Sequence, residues 1–73
     1  MTYTYTLRER YEWNGRVYWR FWVQWSDGGS EPLELKQPEN ADWQQADAEA
    51  VLVARLDAEV QERELLALVG QEV

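Results

Sequence analysis

The sequence predicts an α+β fold: a three-stranded antiparallel β-meander in the order 1-2-3, packed on one face by a long C-terminal α-helix. Three observations carry this. Residues 2–26 alternate between apolar and polar side chains with a period of two. Asn14-Gly15 and Asp27-Gly28-Gly29 interrupt that alternation with turn-forming residues. Between Asp42 and Val69 there is neither proline nor glycine, and apolar residues recur at spacings of three and four.

In the segment TYTYTLRERYEW, residues 2–13, the odd positions are Tyr3, Tyr5, Leu7, Glu9, Tyr11 and Trp13, as in a half-buried strand. RVYWRFWVQWS, residues 16–26, repeats the pattern with Val17, Trp19, Phe21, Val23 and Trp25 on one side. Two loop geometries compete at Asn14-Gly15. A two-residue type I′ turn sets Tyr11 opposite Tyr18 and sends the two apolar sets to opposite faces. A three-residue loop, Trp13-Asn14-Gly15, pairs Glu12 with Arg16, Tyr11 with Val17, Leu7 with Phe21 and Tyr5 with Val23, with Gly15 left-handed. Because one-sided burial specifies register, the three-residue loop is expected. The same logic at Asp27-Gly28-Gly29 pairs Ser26 with Ser30, Val23 with Leu33 and Phe21 with Leu35. SEPLELK, residues 30–36, is then the third strand, and Pro32 marks it as an edge. Trp19, Phe21, Val23 and Trp25 of the central strand form the expected core.

The helix is expected over residues 42–69. Asp42 with Gln45 reads as a capping box, and Gly70 suits the position just past the helix end. Trp43, Ala46, Ala50, Val53, Leu56 and Val60 form the expected buried stripe, with Arg55–Glu59 and Glu59–Arg63 as supporting i,i+4 pairs. Such a helix spans ~40 Å, more than the ~33 Å of a ten-residue strand. Something must overhang, or the helix must break near Asp57 and fold back. In the LLALV run Leu65, Leu66 and Val69 leave the stripe, which points to a contact with another chain or to a fold-back.

Composition narrows the function classes. The 73 residues contain no cysteine and no histidine, so disulfides, thiolate or imidazole metal sites and histidine-based catalysis are excluded. Stabilisation must come from apolar burial, which five tryptophans and four tyrosines supply. No leader or membrane span is evident, and a cytoplasmic protein is expected. Residues 1–36 are balanced in charge. Residues 37–73 hold Arg55 and Arg63 against nine carboxylates, so the formal charge of −7 resides in the second half. That density repels polyphosphate and attracts basic surfaces.

The outer face of the expected sheet gathers Arg8, Arg10, Arg16, Arg20, Tyr18, Trp22 and Gln24, with Arg8 opposite Arg20 and Thr6 opposite Trp22. Glu9 falls on the core face. Arginines interleaved with aromatic rings can stack on bases and contact phosphates. Three strands and a helix, the NGR hairpin and the ADAEA helix start, over residues 5–55, resemble AP2-type and integrase arm-binding domains. That resemblance implies a sheet that enters a DNA groove. Packing of arginine stems over Trp22 and Tyr18 is the simpler account of the same residues.

The expected function is binding without catalysis: a small acidic protein-interaction module, such as a mobile-element or phage inhibitor or an assembly subunit. Asp47, Glu49, Asp57, Glu59, Glu62 and Glu64 would stand in for nucleic-acid phosphates along a rigid rod and meet a basic surface on a partner protein. Leu65, Leu66 and Val69 would add an apolar contact, with that partner or with a second copy of the chain. No cofactor, metal or membrane is implied. The alternative is nucleic-acid binding through Arg8, Arg10, Arg20, Tyr18 and Trp22, which the sign of the net charge ranks second.

Overall fold

Alternating aromatic and polar residues produce the sheet, and a second apolar period produces the helix that covers it. A computed structural model describes residues 2–71, with side chains through residue 66. Strands β1 (Tyr3–Trp13), β2 (Arg16–Trp25) and β3 (Ser30–Lys36) form an antiparallel sheet in the order β1-β2-β3, followed by the helix α1 (Gln45–Gln71). The expected α+β meander-plus-helix layout is the one observed.

The first hairpin differs from expectation near its turn. Trp13 pairs with Arg16 across a two-residue turn, and Asn14 (φ 53°) and Gly15 (φ 73°) are both left-handed, as type I′ requires. Glu12 therefore faces Val17 and Tyr11 faces Tyr18, so the pairs Glu12–Arg16 and Tyr11–Val17 do not form. Further along, Leu7 pairs with Phe21 and Tyr5 with Val23, as one-sided burial demands. A bulge between Leu7 and Glu9 reconciles the two registers. The extra residue, Arg8, takes up one position, so the turn keeps its preferred geometry and Tyr3, Tyr5 and Leu7 still face the core. The same shift places Glu9 opposite Arg20 on the outer face and Arg10 opposite Trp19 on the inner one, reversing the expectation for both.

The second turn begins one residue earlier than expected. Trp25 N–H donates to Gly29 O at 2.7 Å and Gly28 N–H to Trp25 O at 3.0 Å, closing the loop Ser26-Asp27-Gly28. Gly28 holds the left-handed position (φ 97°), and Asp27 Oδ1 accepts the Gly29 N–H at 3.0 Å. Phe21 thus pairs with Leu33 and Val23 with Glu31, a slip of two residues from the expected Leu35 and Leu33 partners. A two-residue slip preserves faces, so Leu33 and Leu35 still turn inward.

Trp19, Phe21, Val23, Trp25 and Leu35 meet Ala48, Leu52 and Leu56 of α1 in the buried core. Each buried leucine contributes about 1.5–3 kcal/mol relative to exposure. The stripe is rotated from the expected one. Leu56 is shared, Val60 packs against the core, Val53 is half-buried, and Trp43 packs on the core from the segment before the helix. Ala46 and Ala50 are exposed, while Ala48 supplies the small residue where helix and rings approach.

Capping also moves. Gln44 O accepts the Ala48 N–H at 3.2 Å, and Asp47 Oδ2 accepts the Gln44 N–H at 2.8 Å. Asp47 therefore supplies the return bond of a capping box to Gln44, in place of Asp42 and Gln45. The helix runs without a break for 27 residues, past Asp57 and through Gly70, which is inside it and not a terminator. Of the two expected i,i+4 pairs, Glu59–Arg63 forms, at 2.8 Å.

One buried polar side chain, Gln37, is paired in a way that fixes the strand ends. Gln37 is buried; its Oε1 accepts Trp19 Nε1–H at 3.0 Å and its Nε2 donates to Ala41 O at 2.7 Å. Its backbone N–H donates to Val17 O at 2.9 Å, extending the β2–β3 pairing by one residue. The core indole is thereby tied to the chain that leads into α1.

Candidate interaction surfaces

The outer face of the sheet is built from β1, β2 and β3 side chains that alternate away from the core. Arg20 stands at its centre. Its Nη2 lies 3.1 Å from Glu34 Oε2, and its Nη1 lies 3.5 Å from Glu9. Tyr11 donates its hydroxyl to the same Glu34 oxygen at 2.8 Å and stacks on Tyr18, with ring centroids 5.2 Å apart and planes 15° from parallel. The Arg20 guanidinium also lies 5.4 Å from the Tyr11 ring centroid. The hydrogen bond from Tyr11, joined by that from Arg20, holds Glu34 below the usual carboxylate range. Conversely, the bond to Glu34 raises the Tyr11 phenol.

Of the residues expected on this face, Arg8, Tyr18, Arg20 and Trp22 are brought together, and Thr6 is opposite Trp22 as expected. Arg8 lies over the Trp22 ring at 5.7 Å, the packing arrangement of stem and indole. Arg10 is on the other side, over Trp19 at 5.3 Å, toward the turn end of the hairpin. Arg16 pairs with Glu39 at 2.9 Å. Glu9 and Tyr11 were not expected on the outer face; the Asn-Gly dipeptide, taken with one-sided burial farther along the strand, is the signal for the bulge that puts them there.

On the helix, the carboxylates are distributed round the circumference instead of along one face. Asp47 caps the N-terminus, and Asp57 Oδ1 accepts the Tyr3 hydroxyl at 2.6 Å. Burial, with Asp57 second, pushes the Tyr3 phenol up to about 12. Tyr5 is raised as well, by burial and then by the Glu49 charge. Glu59 pairs with Arg63, whose guanidinium lies 4.4 Å from the Trp25 ring centroid and 3.9 Å from Asp27. Asp47, Asp57 and Glu59 thus hold the fold together. Glu62 and Glu64 follow on the exposed part of the helix.

Beyond Arg63, whose guanidinium still meets Trp25 and Asp27, the helix continues past the sheet, and the molecule measures 50 Å along its longest axis against 23 and 20 Å across. Leu65 and Leu66 are 62% and 66% exposed there. The side chain of Val69, the third expected member of this cluster, lies outside the described residues. Trp13, at the opposite tip, is 63% exposed.

Among the described residues, no group of three or more potential metal ligands converges, and no helix is long and apolar enough to cross a membrane. No protein-family model, curated protein or solved structure matches the chain.

Proposed function

We propose that the protein is a small acidic protein-binding module that engages a partner through the C-terminal half of α1. The observation that carries this is the overhang: a continuous helix projects past its own sheet and exposes Leu65 and Leu66 beside Glu62 and Glu64. Apolar side chains at that exposure contribute nothing to the core, and clusters of them on small proteins mark contact sites. The surrounding carboxylates favour a basic partner.

The nucleic-acid reading has less support. Arg20 is neutralised by Glu9 and Glu34, and Arg10 faces away from the aromatic set. Arg8 with Trp22 is the remaining cation–aromatic pair on that face.

Immobilised protein and a Leu65→Asp/Leu66→Asp variant, offered the same cell extract, test the proposal. A protein retained by the first, lost with the variant and released by salt is the expected result. An identical set of retained proteins, together with saturable quenching of tryptophan fluorescence by short DNA or RNA, would overturn it in favour of the sheet face.

A further inference from the structure

The solvent side of α1 carries a second apolar pattern that the core does not use. Asp47, Val51, Ala54, Ala58, Gln61 and Leu65 recur at alternating spacings of four and three, the repeat of a coiled-coil seam. At ~100° per residue this line is centred roughly 130° round the helix from the buried Ala48, Leu52 and Leu56. All six residues are exposed, including Val51 at 40% and Leu65 at 62%. The valine, two alanines and leucine on this outward line lie outside the core cluster of the described residues. Alanines at its middle permit helix axes to approach within about 8 Å.

Charge selects the occupant. Asp47 lies on the line, Glu62 borders one side, and Asp57 and Glu64 border the other; Arg55 is the one cation beside it among the described residues. The formal charge of −7, held in the second half of the chain, repels a second copy. A helix bearing lysine or arginine would meet opposite charge along the Asp57 and Glu64 border, and Glu62 offsets Arg55 on the other. We propose that this seam docks one basic amphipathic helix of a partner protein, packed against Val51, Ala54, Ala58 and Leu65. Gln61, polar within the line, would set the register of the pair. This inference rests on the binding-module reading and specifies its surface and its ligand.

The probe is a synthetic amphipathic helix with a leucine seam bordered by lysines, compared with a peptide of the same seam bordered by glutamates. Binding is read by fluorescence anisotropy of labelled peptide, with sedimentation to follow the mass of the protein. Saturable binding of the lysine peptide alone is expected, weakened at least about tenfold by Ala54→Glu/Ala58→Glu and by raised salt. Both substitutions are exposed and helix-compatible, and circular dichroism verifies the fold. Absence of binding, or equal binding of both peptides, overturns the inference. So does a wild-type dimer that Ala58→Glu abolishes, since a second copy would then occupy the seam. Binding that survives Ala54→Glu/Ala58→Glu but is lost with Leu66→Asp, which lies off the seam, also overturns it and leaves the module reading standing. The extract experiment with Leu65→Asp/Leu66→Asp judges that reading separately.

Discussion

The Tyr3 hydroxyl donates to Asp57 Oδ1 at 2.6 Å, joining the first strand to the middle of the helix across 54 residues of sequence. Tyr3 also meets the Trp25 ring edge-on, with centroids 5.7 Å apart, so one residue links β1, β2 and α1. Its phenol is raised to about 12, by burial and by Asp57. Tyr5 and Tyr11 are raised too, through burial beside Glu49 and through the bond to Glu34.

These shifts predict an alkaline limit. A phenol raised in the folded state stabilises the fold fully below the unfolded value of about 10, and that contribution is lost as pH rises through the folded value. Stability should therefore fall between about pH 10 and 12. Urea melts across that range check it, and Tyr3→Phe should flatten the decline. On the acid side Glu34 is lowered, so its contribution is present above the ordinary carboxylate value and disappears as pH falls through the folded one.

Gln37→Ala should cost about 1–3 kcal/mol in denaturant unfolding, because it strips the partner from the buried Trp19 Nε1–H. Lys36→Ala, one residue earlier and exposed, should change stability by less than about 0.5 kcal/mol. Equal effects would show that the indole finds another acceptor.

The rotation of the helix is testable by size. Ala48→Leu should overpack the core and cost about 1–3 kcal/mol. The same change at exposed Ala46 or Ala50 should be nearly neutral. Leu52→Ala should cost about 2–5 kcal/mol through the cavity it leaves. Thermal melts of the set distinguish this rotation from one that buries Ala46 and Ala50.

Deleting Arg8 should remove the bulge while leaving both register segments intact, Trp13–Arg16 at one end and Leu7–Phe21 at the other. The shortened chain should fold with the same faces, within about 1 kcal/mol of the parent. Amide exchange and cross-strand nuclear Overhauser contacts check the pairing. Loss of the Leu7–Phe21 contact would contradict it.

Strand order, the core rings of β2 and the overhang were legible in the sequence because each follows from a single periodicity or length. The β1–β2 register was not, since two local rules conflict there. Asn14-Gly15 demands a type I′ turn and Tyr3, Tyr5 and Leu7 demand one-sided burial. The bulge at Arg8 satisfies both, and no single-period reading contains it. The helix face failed for a related reason. Alanines occupy positions 46, 48, 50, 54 and 58, so spacing alone permits several stripes, and packing against Trp19, Phe21 and Leu35 selects Ala48-Leu52-Leu56. The surfaces fared likewise. Arginines and rings were visible on the sheet, but the pairing of Arg20 with Glu34 and Glu9 needed the register.

The proposed contact surface is α1, and not the outer sheet. Its most direct test is an amide and indole chemical-shift map. Labelled protein is titrated first with the lysine-bordered amphipathic peptide and then, separately, with short DNA at low salt. Shifts confined to α1 from about Val51 to Leu66 are expected with the peptide, and an unmoved Trp22 indole with DNA. Saturable DNA-induced shifts at Tyr18, Arg20 and Trp22, with a silent helix in the peptide titration, would contradict it.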